Sequence, residues 1–160
     1  MEHLFLVRHG HYDVTAGNLE IIGRKESESL AEKIHEIIGQ NKSSLHLATS
    51  PKIRATETAE IIAKKLGITN IDKVEALHAP GGSVLIDQRN EVDKLIKSHE
   101  EDDVIILVTH LPFVDGAYPD CYPEHFVKMR YGKELKLKQT ARNGQAFHFN
   151  METGMYEIIP

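Results

Sequence analysis

Arg8, His9, Gly10, Arg54 and His110 are the residues of this 160-residue sequence whose types and placement could do chemistry. Arg8-His9-Gly10 follows directly on the apolar run Leu4-Phe5-Leu6-Val7. A guanidinium can hold two phosphate oxygens through paired N–H donors. An imidazole offers a nitrogen nucleophile. A glycine beside them removes a side chain that would block a bulky anion. Arg54 lies four residues after Ser50-Pro51, an N-cap followed by an apt first helical residue, so Ser50 and Arg54 share one face of a helix start. Helix N-termini favour anions through free N–H groups and the macrodipole. His110 closes the apolar stretch at residues 104–109. Taken singly, each is a polar residue at the end of an element. Together, two arginines and two histidines could surround one phosphoryl group.

Such a set needs a scaffold that brings distant strand ends to one place. Residues 3–7, 45–48 and 104–109 are short apolar runs, as expected of strands buried on both faces of a parallel sheet, and residues 71–77 read as a further strand. Between them lie helical patterns. One begins near Leu19, carries Leu30, Ala31, Ile34, Ile37 and Ile38, and stops at Gly39. The next follows Pro51, carries Ala59, Ile62, Ala63 and Leu66, and stops at Gly67. The third is capped by Ser83 and bears Leu85, Val92, Leu95 and Ile96. A brief helix is expected from Pro112, with Pro119 and Pro123 leaving residues 117–126 irregular. Alternation around Ala146–Asn150 and Met155–Ile159, with Glu152-Thr153-Gly154 between, predicts a hairpin. The order predicts an α/β three-layer sandwich: a largely parallel central sheet, helices on both faces and a C-terminal hairpin. No repeat, low-complexity tract or linker interrupts it, so one domain is expected over residues 1–160. In such a sheet Arg8-His9 and Thr109-His110 lie at strand carboxyl ends, where ligands collect.

Composition narrows the function. A net charge of −5 argues against a nucleic-acid or anionic-membrane binder, so any polyanion must meet a local positive pocket. Ten histidines lean toward acid/base or phosphoryl work. Cys121 is the only cysteine, which excludes an intrachain disulfide and a cysteine zinc cluster and fits a reducing compartment. The amino terminus lacks the basic and apolar regions of a signal peptide, and the longest apolar run, residues 104–108, is too short to span a bilayer. A cytoplasmic protein without membrane attachment is expected.

Arg8-His9-Gly10, Ser50-Pro51-x-x-Arg54-Ala55-x-x-Thr58-Ala59 and the later His110 resemble the histidine phosphatase superfamily, relatives of phosphoglycerate mutase. The stretch from Leu19 to Ala31, with Gly23 inside it, is similar to the family's first helix. Val108-Thr109-His110-Leu111-Pro112 and the small size resemble the SixA-type branch, whose members dephosphorylate phosphohistidine on phosphotransfer proteins. The resemblance implies a phosphoglycerate mutase-like fold and a two-step phosphoryl transfer. His9 would form a phosphohistidine intermediate, and Arg8, Arg54 and His110 would bind and stabilise the phosphoryl oxygens. No cofactor or metal is implied, because cationic side chains supply the charge. Larger members take a proton donor from a carboxylate after the third strand. Glu75 is the only carboxylate there, and His78 is a weaker candidate. A phosphoramidate asks less of an acid, because a protonated imidazole leaves readily, so the expected substrate is phosphohistidine in a protein. The alternative is a small phosphometabolite. Two departures stand out: His11 after the triplet, and residues 113–126, with Asp115, Asp120, Cys121 and Tyr122, in place of a long apolar helix. That segment reads as an irregular connection or as a lid or docking surface.

Other chemistries fit less well. His9-x-His11-x-Asp13, with His110 distant, has the spacing of a binuclear metal hydrolase. Val14 stands where a further histidine is needed, and Arg8 would repel a dication. A non-catalytic phosphate-binding module would not be expected to keep all four of Arg8, His9, Arg54 and His110. A mutase would need more chain for the lid over a bisphosphate.

Overall fold

The apolar runs become the middle of one six-stranded sheet in the computed structural model, which describes residues 1–39, 44–116, 121–134, 136 and 139–160. In chain order the elements are β1 (His3–Arg8), α1 (Ile21–Ile38), β2 (Leu45–Thr49), α2 (Ile53–Leu66), β3 (Asp72–Lys73), α3 (Ile86–Ser98), β4 (Val104–Thr109), α4 (Tyr122–Tyr131), β5 (Ala146–Asn150) and β6 (Met155–Ile159). The strands lie in the order β3-β2-β4-β1-β5-β6. Pairs β1/β4, β2/β4 and β2/β3 are parallel; β5 and β6 pair antiparallel. The expected α/β architecture with its terminal hairpin is therefore present. Asn150 Oδ1 accepts the N–H groups of Glu152 and Thr153 in the hairpin turn.

Strand alternation divides the core. Leu4, Leu6, Ile105 and Leu107 pack with Val92, Ile96 and Phe126 from α3 and α4. Phe5, Val7, Ile106 and Val108 face the other way, onto Leu30 and Ile34 of α1 and Ala59 and Ile62 of α2. Each such side chain, fully buried, stabilises the fold by about 1.5–3 kcal/mol relative to exposure. Because β1 and β4 are neighbours with Arg8 opposite Thr109, their carboxyl ends emerge side by side. His9 and His110 follow immediately, so the register alone brings them together. Among the described residues no helix is long and apolar enough to cross a membrane.

Four local expectations are corrected. The third strand is only Asp72–Lys73; residues 75–77 turn into a 3-10 helix that buries Leu77 and lets its carbonyl accept from Thr109 Oγ1 at 2.7 Å. Ser50 does not cap α2. The cap is Lys52, and Ser50 stays buried at the strand end. Likewise α3 is capped at Leu85, whose N–H donates to Gln88 Oε1 at 3.0 Å, rather than at Ser83. Finally, Pro123 opens α4 instead of breaking it, because a first-turn proline loses no helical hydrogen bond. Residues 117–120 of the expected irregular stretch lie outside the described residues.

Candidate active site

Arg8, His9, Tyr12, Arg54, Ala79, Gly82, His110, Leu111 and Pro112 line a cleft of about 280 Å³ at the carboxyl ends of the strands. Four of the five expected site residues are among them. The fifth, Glu75, is not. Its 3-10 turn leaves the carboxylate exposed, against Glu91 and Lys94 in a separate groove. Among the described residues no carboxylate lines the cleft.

His9 is buried and its tautomer follows from its partners. Nδ1 lies 2.9 Å from the Gly10 carbonyl, which can only accept, so Nδ1 carries the proton. Nε2 then holds the lone pair, and Arg54 Nε donates to it at 3.0 Å. Burial pushes the His9 pKa down to about 4, with the Arg54 and Arg8 charges acting in the same direction and the Gly10 hydrogen bond opposing. The ring is therefore neutral at pH 7, with its Nε2 lone pair accepting from the Arg54 guanidinium.

His110 is held in the complementary way. Arg54 Nη2 donates to its Nδ1 at 3.2 Å, which leaves the proton on Nε2 and directs it to Ser50 Oγ at 2.8 Å. Burial, then His9 and Arg54, lower its pKa to about 2. The His9 and His110 rings meet edge to face at 5.0 Å, and His78 approaches His110 from the other side at 5.2 Å. The His78 pKa is lowered by burial, then by Lys52 and Arg54. Arg54 thus bridges both site histidines. Its guanidinium carbon lies 4.4 Å above the Tyr12 ring centroid, a cation–π contact that fixes its plane.

Arg8 is anchored by Nη1 to the Ala141 carbonyl at 3.2 Å, while its buried Nε has no hydrogen-bond partner among the described residues. An orphaned donor costs free energy until an acceptor arrives, and a phosphoryl oxygen in the cleft would be one. Burial lowers the Arg8 pKa and the nearby Asp115 carboxylate opposes that shift. Asp115 is itself buried and accepts from Thr140 Oγ1 at 2.6 Å.

The glycine in the triplet serves a different purpose from the expected one. A Cβ on Gly10 would lie 2.4 Å from the Gly23 carbonyl oxygen, and one on Gly23 would lie 1.9 Å from the His11 carbonyl oxygen. The two glycines let the loop after β1 cross α1 backbone to backbone; clearance for an anion is not what they provide. Thr58 completes this crossing. Its Oγ1 accepts the Gly10 N–H at 3.1 Å and donates to the Arg54 carbonyl at 2.9 Å. With Ala55 and Ala59 fully buried, α2 sits close enough to the sheet for Arg54 to reach both histidines.

Tyr12, Asp115 and the true role of Ser50 escaped the sequence. Tyr12 sits in a loop with no periodic signal, and Asp115 is more than a hundred residues from the arginine it faces. Among the described residues, His9, His11 and Asp13 do not gather ligand atoms around one point, so the binuclear metal arrangement is not formed. His11 turns away, its Nδ1 2.5 Å from Glu26 Oε1.

Residues 4–79 match the family model of the histidine phosphatase superfamily, branch 1. No curated protein sequence matches the chain. Several solved structures share the fold. A mycobacterial glucosyl-3-phosphoglycerate phosphatase complexed with VO3 superposes with a TM-score of 0.68 at 17% identity, covering 99% of this chain and 98% of that one. The protein histidine phosphatase SixA complexed with tungstate gives 0.64 at 17% identity over 99% and 94%. The phosphoglycerate mutase of Plasmodium falciparum gives 0.61 at 20% identity over 99% and 88%.

Proposed function

We propose that this chain, whose residues 4–79 match the model of the histidine phosphatase superfamily (branch 1), is a metal-independent phosphatase acting through a phosphohistidine intermediate on His9. The observation that carries the proposal is the lone pair of His9 Nε2, kept unprotonated by burial and aimed at the donors of Arg54. The group best suited to lie between His9, Arg8, Arg54 and His110 is a phosphoryl group. Its oxygens would satisfy the orphaned Arg8 Nε and take over the Arg54 donors.

In the first step a bond forms from His9 Nε2 to phosphorus as the bond to the leaving group breaks. Positive charge develops on the imidazole, and the Nδ1–H bond to the Gly10 carbonyl stabilises it. Arg8, Arg54 and His110 stabilise the oxygens in the transition state. In the second step water attacks phosphorus, the P–N bond breaks, and inorganic phosphate leaves with His9 restored.

The leaving group decides the substrate class. An alkoxide needs a proton donor, and among the described residues no carboxylate lines the cleft. A protonated imidazole leaves without one. This supports phosphohistidine in a phosphorylated protein as substrate. A small phosphomonoester is the second reading, favoured by the likeness to a glucosyl-3-phosphoglycerate phosphatase. We assign neither nucleic acid nor membrane as partner and place the protein in the cytoplasm, as one domain without a cofactor. Turnover of a phosphohistidine protein and of a panel of phosphomonoesters tests the choice. A higher kcat/KM for the phosphohistidine protein is expected; an equal or higher value for any phosphomonoester would overturn it.

A further inference from the structure

The reactive histidines occupy one end of the sheet; a second histidine cluster occupies the other. His46 lies near the start of β2, opposite Ile105 of β4, on the strand face that carries Ala48. His99 caps the carboxyl end of α3, Asp102 follows in the next turn, and Asp72 is in β3. Three separate elements and a turn therefore meet at one point.

The contacts there are unusual for a merely structural histidine pair. The His46 and His99 rings stack at 3.4 Å between centroids, 12° from parallel. The His46 side chain is 91% buried, since 9% of it is exposed, yet among the described residues its Nε2 has no hydrogen-bond partner. The nearest carboxylate oxygen, Asp72 Oδ2, is 3.9 Å away, beyond hydrogen-bonding reach. On the other ring, His99 Nδ1 lies 2.9 Å from Asp102 Oδ2. Potential ligand atoms of His46, His99 and Asp102 all lie within 4.8 Å of one another.

We propose that His46, His99 and Asp102, with Asp72 alongside, form a binding site for one divalent transition-metal ion of the zinc class. Imidazole nitrogen with carboxylate oxygen suits zinc, cobalt or nickel, whereas calcium and magnesium prefer oxygen alone. Bonds of about 2.0–2.2 Å bring ligand atoms to within about 3–4 Å of each other, so ion binding requires the partly exposed His99 ring to turn out of the stack and aim its in-plane lone pair at an ion shared with His46. The unpartnered His46 Nε2 then gains a partner. The electrostatics agree. The carboxyl end of α3 carries the negative end of the helix dipole, and residues 100–103 add an acidic turn. The site joins β2, the end of α3 and β3, so the bound ion would clamp the edge of the sheet. It takes no part in phosphoryl transfer.

The test uses chelator-stripped full-length protein titrated with Zn²⁺ by calorimetry and with Co²⁺ by visible absorption. One equivalent should bind, with the intense d–d bands of a four-coordinate site, and Zn²⁺ should raise the melting temperature. His99→Ala should weaken binding on the order of 100-fold or more and abolish that rise, while leaving phosphatase turnover unchanged. His46→Gln should do the same, and His99→Ala keeps the test valid should His46→Gln fail to fold. His9→Ala should leave the metal affinity intact. The proposal is overturned if no saturable binding is found, or if binding survives His99→Ala and disappears in His9→Ala.

Discussion

At the residue scale, Arg54 is the side chain on which the site depends. Its Nε and Nη2 each serve one histidine, and its face rests on Tyr12. Arg54→Ala is expected to lower kcat/KM about 10²–10³-fold, the usual loss when a preorganised donor is removed. Arg54→Lys should recover little, because one ammonium group cannot reproduce two donors in a plane. Tyr12→Phe, which keeps the ring, should stay near wild type, whereas Tyr12→Ala should not. Steady-state kinetics separate these outcomes. The depressed histidine pKa values also govern stability. His9 and His110 titrate near 4 and 2 in the fold, against about 6.5 when unfolded. Below pH 6.5 the unfolded chain takes up protons that the folded chain refuses, so stability falls toward pH 4. Each group adds a slope approaching about 1.4 kcal/mol per pH unit. Above pH 6.5 both states are neutral and the effect vanishes. Urea midpoints should therefore be flat from pH 8 to 7 and fall between pH 6.5 and 4.5, with a shallower fall in His9→Asn.

At the element scale, the crossing of the β1–α1 loop over α1 determines where His9 points. Gly23→Ala would stabilise an isolated helix by nearly 1 kcal/mol. Here the new Cβ would overlap the His11 backbone, so destabilisation of several kcal/mol is expected by denaturant unfolding, and Gly10→Ala should behave alike. This crossing shows what the sequence could and could not reveal. Strands β1, β2 and β4 were legible because apolar runs such as residues 104–109 have one physical solution, a strand covered on both faces. Their carboxyl ends then placed Arg8, His9 and His110 correctly. The Ser50-x-x-x-Arg54 spacing placed Arg54, although Ser50 proved to hold His110 rather than to cap α2. What stayed illegible depends on tertiary approach. A glycine needed for backbone contact looks the same as one needed for anion clearance. A proline that opens α4 looks the same as one that breaks a helix. Glu75 looked usable as an acid until a 3-10 turn replaced the strand that would have aimed it.

At the scale of the whole molecule, one continuous sheet ties the two ends of the chain together. β1 pairs with β4 on one side and with β5 on the other. The cleft draws on residues from position 8 to position 112, and Ala141 anchors Arg8. We expect one cooperative unfolding transition, with tertiary and secondary probes coincident, as a single domain requires; two separated transitions would contradict that organisation. The central claim is that His9 carries the phosphoryl group during turnover. Acid-quench trapping with a labelled phosphodonor tests it most directly. Acid-labile, base-stable label is expected on His9, formed and discharged at rates that support turnover and absent from His9→Ala. Turnover by the wild-type protein without label ever appearing on His9, with adequate time resolution, would contradict it.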